Sequence, residues 1–434
     1  MNSFIEKINW LSVKLGNQIH LRSIRDAFTT ILPLIMLAGL MILLNSVVLN
    51  PAGFMSSIFA PETLQQWQQL GISIVNGTLG AMTLLVGAVV SYSLSQNRDF
   101  TNPLATVILT IALIIIFIPP VVTATPAAGG DAIRVTGMIP TQLTGPSGMF
   151  VGIVTALLST EVFIRFSRNE RLKINISGEM VPPAVIRSFN TLIPSMLTVL
   201  IFSLFSFLVH LLFDLDLYSL IGALIQKPLT WLVSSSAGFI FLMTLSQLFY
   251  SVGIAGSGIL GPIMDPVLLI NMQENMAAFA AHTEIPHIIN NTFRDIFGIM
   301  GGGGNTIALI LAIFIASKRK DYRDIASLSA APSIFNINEP IVFGMPIVYN
   351  VTLMIPFIFS TPFCLFLAWL ATRFHLISEV VVMVPWTTPV VISGFLATGG
   401  DWRAAVFQVF LIAVCTLIYL PFVKANNLPA ERKI

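Results

Sequence analysis

The chain has 434 residues, 55% of them hydrophobic and 10% charged, with a formal net charge of +2 and a mean hydropathy of +0.87. A soluble domain carries about 25% charged residues, so the composition excludes a soluble globular protein and reads as an integral membrane protein. The near-neutral balance gives no electrostatic footprint for nucleic acid.

Residues 1–25 carry Phe4, Ile8, Leu11, Leu15 and Ile19 at helical spacing, together with Lys7, Lys14, Arg22 and Arg25. They predict an amphipathic helix on the membrane surface. They do not read as a signal peptide, because no short apolar core precedes a small-residue cleavage site. A membrane span needs about 20 mostly apolar residues. Good candidates lie at 27–49, 71–96, 103–124, 148–167, 189–213, 234–256, 302–317, 347–372 and 402–423. The segments 257–301, 333–346 and 376–396 are apolar but broken by Gly and Pro, and they hold Asp265, Glu274, Arg294, Asp295, Glu339 and Trp386. Non-helical backbone at membrane depth survives only where protein or a watery cavity satisfies its polar groups, so transporters build their sites from such segments. Cys364 and Cys415 sit in apolar runs and read as small buried hydrophobes. No metal-ligand spacing and no cofactor motif is visible, and neither a metal nor a cofactor is expected.

Basic residues gather before the first span, at Arg98, at 165–173, at 317–323 and near the C-terminus, whereas 50–70 and 125–147 hold only Arg134. The positive-inside rule therefore places both termini in the cytoplasm. Nine spans conflict with that parity, so a tenth crossing is expected within 257–301. The predicted architecture is an all-α polytopic membrane protein. It has about 10 transmembrane helices, one or two re-entrant hairpins and the N-terminal amphipathic helix.

The stretch "FNINEPIVFGMPIVYN" (335–350) concentrates Asn336, Asn338 and Glu339 ahead of Pro340, Gly344 and Pro346. Pro340 disfavours helix at Glu339, and the segment reads as the turn of a re-entrant hairpin facing a central cavity. A sugar needs amides, carboxylates and an aromatic plate. Asn336, Asn338, Glu339, Asn305 and Asn291 supply the first two, and Trp386 can supply the third. A carboxylate in reach of a sugar hydroxyl can orient it and accept its proton. The competing reading of Glu339 is a buried ion pair with Arg294. Asp295 reads either as a substrate contact or as a structural partner of Arg294 or backbone cap, and Trp386 as a sugar contact or an interfacial anchor. Asn76 and Thr78 either touch substrate or close-pack helices. "GIMGGGGNT" (298–306) reads as close helix approach or a tight turn, or as phosphate binding. No GxxxxGK[ST] stretch is present, which argues against ATP hydrolysis.

Taken with "NGTLGAMTLL" (76–85), "VPPAVIRSFNTLIP" (181–194), "LILAIFIASKRKDYR" (309–323), "PWTTP" (385–389) and "LIYLPFV" (417–423), the NEP segment resembles a known family. That family is the membrane C component (enzyme II C) of bacterial sugar phosphotransferase systems, lactose/cellobiose/N,N'-diacetylchitobiose group. The resemblance covers nearly the whole chain. It implies a single domain over 1–434, with scaffold and dimerisation spans in 26–256 and the sugar-binding part in 257–434. It also implies a homodimer in the bacterial cytoplasmic membrane. The implied activity is uptake of a disaccharide coupled to its phosphorylation. The phosphoryl group comes from a phosphocysteine on a B component, itself charged by an A component. Glu339 would face the sugar hydroxyl, with Asn338 beside it and Trp386 near the sugar. Many relatives have "GIHG" where this chain has "GIAG" (253–256), so Ala255 stands in place of a sugar-contacting histidine. His282 and His287 either substitute for it or are loop or interface residues. The alternative function is an ion-coupled secondary sugar transporter, or a sugar sensor, on the same scaffold.

Overall fold

The computed structural model describes residues 14, 18–51, 54–124, 133–174, 183–251, 256–345, 347 and 350–427. Most of the predicted N-terminal amphipathic helix, and Ala255, lie outside these residues. In chain order the main helices are α1 (Ile19–Leu43), α2 (Pro61–Thr78), α3 (Met82–Asn97) and α4 (Pro103–Ile116). After a β-hairpin come α5 (Met149–Ser167), α6 (Pro183–Phe213), α7 (Lys227–Ser234) and α8 (Ser236–Ser251). The C-terminal part contains α9 (Gly256–Ala280), α10 (Asn291–Gly298), α11 (Thr306–Ala316), α12 (Lys320–Ile334) and α13 (Glu339–Gly344). It ends with α14 (Val351–Arg373), α15 (Ile392–Ala397) and α16 (Trp402–Ala425).

Among the described residues six helices are long and apolar enough to cross a membrane, or seven if Leu217–Ser234 (which ends in α7) and α8, bent by 81° at Ser235, count as one broken span. This is fewer than the ten expected from sequence. The predicted span 103–124 ends as helix at Ile116, because Pro119 and Pro120 follow and the chain turns into strand. The hairpin pairs β1 (Val121–Ala124) with β2 (Ile133–Thr136) in antiparallel register, Val121 opposite Thr136. It corrects the all-α expectation locally, and its cause is a run of β-branched residues on both sides of the turn. Likewise 302–317 yields only the 11-residue α11 (Thr306–Ala316), because the glycines before it form a loop. In 257–301 a single 25-residue helix, α9, runs through Pro262 and Pro266.

The chain divides into two compact units. One comprises Gln18–Leu34 and Val75–Pro228. Its interior is a close contact of α3 with α5, where small residues let the backbones approach. A Cβ on Gly152 would lie 2.6 Å from the Thr83 carbonyl oxygen. Buried hydroxyl pairs link these helices, Ser91 of α3 with Thr160 of α5 at 2.8 Å, and Thr110 of α4 with Ser159 of α5 at 3.1 Å. Small residues and interhelical hydroxyls are the usual adhesive where lipid removes the hydrophobic drive. Leu109, Leu113, Phe117, Phe163, Val209 and Tyr218 fill the core beside them. Near one end Glu161 accepts from Arg98 at 2.8 Å and meets His20 at 2.9 Å.

The other unit contains 35–74 and 229–434 among its described parts. The expected boundary at 256–257 falls inside it. Here α11 packs on α16, and α8 on α14. Cys364 and Cys415 are both fully buried between α14 and α16, with their sulfurs 3.1 Å apart. All the broken segments singled out in the sequence belong to this unit.

Candidate functional site

A cavity of about 260 Å³ opens within the second unit, lined by α8, α9, α10, the loop before α11 and the start of α13. Asn336, Asn338, Glu339, Trp386 and Asp295 all line it. Asn305, Asn291, His282, His287, Asn76 and Thr78 do not. Four residues not singled out as site candidates join it from α8 and α9: Ser246, Gln247, Tyr250 and Ser257. A sequence signal existed for these, since Met243, Gln247 and Tyr250 recur on one face of an otherwise apolar helix.

Gly302 and Gly303 line the cavity, within a loop of four glycines. Gly301, Gly302 and Gly304 adopt φ of 77°, 102° and 76°, a region that side chains rarely tolerate. A Cβ on Gly302 would sit 2.5 Å from Asn338 Cβ, and one on Gly304 would sit 2.3 Å from the Phe357 ring. Surrounding side chains hold the loop's polar groups. Tyr419 donates to the Gly304 carbonyl at 2.6 Å, and so does Ser360 at 2.7 Å. Thr306 donates to the Gly301 carbonyl. The geometry matches the tight-turn reading of this stretch.

The asparagines tie this loop to its surroundings. Asn336, itself at φ 62°, accepts from Gly301 N–H at 2.7 Å and donates to the carbonyls of Trp386 at 2.6 Å and Thr388 at 3.3 Å. Asn338 donates to the Gly303 carbonyl at 2.9 Å and accepts from the Tyr250 hydroxyl at 3.1 Å. Asn305 is fully buried, accepting from Met300 N–H at 2.9 Å. Both N–H groups of Asn336 and one of Asn338 are therefore committed to backbone carbonyls.

Among the described residues lining the cavity, Arg294 is the one basic residue. It donates to Asp295 at 2.9 Å through Nε and to Asp265 at 2.6 Å through Nη1. Asp295 thus takes the structural-partner role weighed in the sequence. Glu339 does not: it is exposed and makes no hydrogen bond or ion pair with any described residue. Glu339 opens helix α13, with Asn338 as N-cap and Pro340 in the first turn. The expectation that Pro340 keeps Glu339 out of helix is corrected, because Pro is tolerated in the first turn, where its missing N–H has no intrahelical partner to lose.

Trp386 is 44% exposed, and its carbonyl is fixed by Asn336. Further along the same segment, Val391 holds φ at 77° with its N–H on Gln408 Oε1 at 2.8 Å. His287 bonds Glu274 through its ring, and its backbone N–H and carbonyl are held by the Asn275 side chain, away from the cavity lining. His282 is an exposed loop residue at φ 53°. Among the described residues no group of three or more His, Cys, Asp or Glu could hold a metal ion.

Comparison with known proteins accords with this arrangement. The oligo-beta-mannoside-specific EIIC component of the Bacillus subtilis phosphotransferase system is 33% identical, over 97% of this chain and 93% of that protein. The cellobiose-specific EIIC component of Geobacillus stearothermophilus is also 33% identical, over 94% and 90%. The crystal structure of ChbC, the IIC component of the N,N'-diacetylchitobiose-specific phosphotransferase system, superposes with a TM-score of 0.90 at 31% identity, covering 98% of this chain and 97% of that one. The family model described as "Phosphotransferase system, EIIC" matches residues 25–361. The chain is a multi-pass membrane protein and belongs to the EIIC family of phosphotransferase-system sugar permeases.

Proposed function

We propose that this permease takes up a β-linked disaccharide of the cellobiose or diacetylchitobiose type and passes it to the cytoplasm as a sugar phosphate. The phosphoryl group arrives from a phosphocysteine on a B component, which an A component recharges. The protein works as a homodimer in the bacterial cytoplasmic membrane with both termini inside, and the segment carrying Glu339 is the turn of a re-entrant hairpin.

One observation carries the chemistry. Arg294 is already engaged by Asp265 and Asp295, so Glu339 lines the cavity as a carboxylate with no cation bonded to it. A sugar hydroxyl is a poor nucleophile at neutral pH, and a carboxylate in hydrogen-bond reach orients it and takes its proton as the phosphoryl group is transferred. Trp386 forms an apolar wall for a sugar ring. The relatives named for cellobiose and N,N'-diacetylchitobiose support the substrate class.

The test uses membrane vesicles, labelled disaccharides and a phosphorylated B component. Glu339→Gln keeps size but loses basicity. A general base contributes about a hundredfold to ten-thousandfold, so sugar phosphate formation drops by that order while sugar binding persists. Parent-rate phosphorylation by Glu339→Gln defeats the base assignment. Uptake of unmodified sugar by the parent, indifferent to the B component and driven by an ion gradient, defeats the phosphotransfer reading.

A further inference from the structure

Some amides of the second unit, Gln273 and Asn291, hold buried side-chain atoms without a hydrogen-bond partner away from the cavity, and others are fully used. Gln408, fully buried, spends its whole side chain on the protein: Oε1 accepts from Val391 and Gly394 N–H, and Nε2 donates to Ile296 carbonyl and Ser393 Oγ. Asn336 likewise spends both N–H groups on carbonyls, and Asn338 spends one. Gln247 is different. It is only 4% exposed, it lines the cavity, and its Oε1 is buried without a hydrogen-bond partner. No described residue bonds its Nε2 either. Gly303 lies against it, and a Cβ there would come within 3.3 Å of the Oε1 oxygen.

A buried acceptor with no donor destabilises a fold. Such groups recur at sites where the missing partner is a ligand. The cavity also presents the Glu339 carboxylate as a free acceptor, and the hydroxyls of Ser246 and Ser257, which can donate or accept. A ligand whose hydroxyls both donate and accept completes this set.

We propose that Gln247 is a substrate-binding, specificity-determining residue whose Oε1 accepts a hydrogen bond from the bound sugar, through a hydroxyl or an acetamido N–H. This rests on the disaccharide reading above, but not on phosphoryl transfer.

The experiment pairs two measurements on purified, detergent-solubilised protein: equilibrium binding of cellobiose and of N,N'-diacetylchitobiose, and thermal unfolding without sugar. Gln247→Leu removes the amide, and Gln247→Met does so while keeping length. Both variants unfold at the parent temperature or above it, because the orphaned acceptor is gone. Both bind sugar more weakly, by roughly three- to tenfold, the worth of one hydrogen bond. Loss on both sugars assigns a hydroxyl donor, and loss on diacetylchitobiose alone assigns the N–H. Unchanged affinity for both sugars overturns the proposal. So does a lowered unfolding temperature in both variants with affinity lost in proportion, which makes Gln247 a packing residue. A parent protein that binds a disaccharide yet never phosphorylates it leaves Gln247 standing and removes only the phosphotransfer reading. A parent that binds neither sugar removes both.

Discussion

The Tyr250 hydroxyl donates to Asn338 Oδ1 across 3.1 Å, joining the end of α8 to the residue that precedes Glu339. Asn338 in turn donates to the Gly303 carbonyl. One amide thus links a helix, the glycine loop and the start of α13. Tyr250→Phe keeps the ring against Phe357 and removes only this donor. The variant is expected to lose about 1–2 kcal/mol of stability, the cost of an acceptor left short of its partner. Thermal unfolding reads that loss. If the unfolding temperature does not move, the bond contributes nothing to holding the site.

Arg294 sits between two carboxylates and is itself largely buried. Removing one partner of a buried ion pair leaves uncompensated charge and costs about 3–5 kcal/mol. Arg294→Gln should therefore lower expression and unfolding temperature sharply. Adding Asp295→Asn to it should recover part of the loss. A single variant as stable as the parent means the triad is not structural.

Gly304→Ala introduces a Cβ at φ 76° and 2.3 Å from the Phe357 ring. Backbone strain and overpacking each cost about 1–3 kcal/mol. The double variant with Phe357→Leu relieves the clash but not the strain, so it should lie between Gly304→Ala and the parent. Equal unfolding temperatures for the single and double variants would show that the ring yields freely.

Asp401 caps α16. Burial alone would raise its pKa, but the Arg403 side chain and the N–H groups of Ser378 and Arg403 outweigh that and hold it at about 2. An unfolded Asp titrates near about 3.9, so the folded value is depressed. The stabilisation is then fully present above about pH 4 and disappears as pH falls through about 2. Asp401→Asn should be less stable than the parent at pH 7, and the gap should close on acidification between those values. A gap independent of pH would assign the effect to shape rather than charge.

The orientation is open to direct labelling. Asn169 and Lys320 are exposed beside the two basic stretches, whereas Ser167 and Ser317 are buried and would report burial instead of side. Native Cys364 and Cys415 are fully buried and silent. Cysteines placed at Asn169 and Lys320 should resist an impermeant thiol reagent outside intact cells. Outside labelling of either reverses the topology.

Much of this arrangement is legible in the residues. The concentration of Asn, Glu, Pro and Gly at 336–346 stands out against an apolar chain, because such groups at membrane depth need a cavity or a partner. The Arg294–Asp295 neighbours suggest their own pairing. What the sequence hides is direction. Nothing in "NINEP" says that Asn336 and Asn338 turn their N–H groups to backbone carbonyls while Glu339 is left free. Gln247 and Tyr250 are harder to single out, since the one-face spacing they share with Met243 is also what an ordinary packed span shows. Length misleads as well: hydropathy extends 103–124 through Pro119 and Pro120, where backbone geometry ends the helix at Ile116.

The glycine loop bears on how such a site can diversify. Its shape is set by main-chain atoms at positive φ, where an added side chain meets Asn338, Phe357 or Ile307 at bonding-range distances. Point mutation can therefore do little to recut that surface without breaking it. Changes of sugar preference are expected instead from side chains that line the cavity, Ser246, Gln247, Ser257 and Trp386. A library randomised at those positions should yield folded permeases with altered selectivity, and one randomised at 301–304 should yield mostly protein that never reaches the membrane.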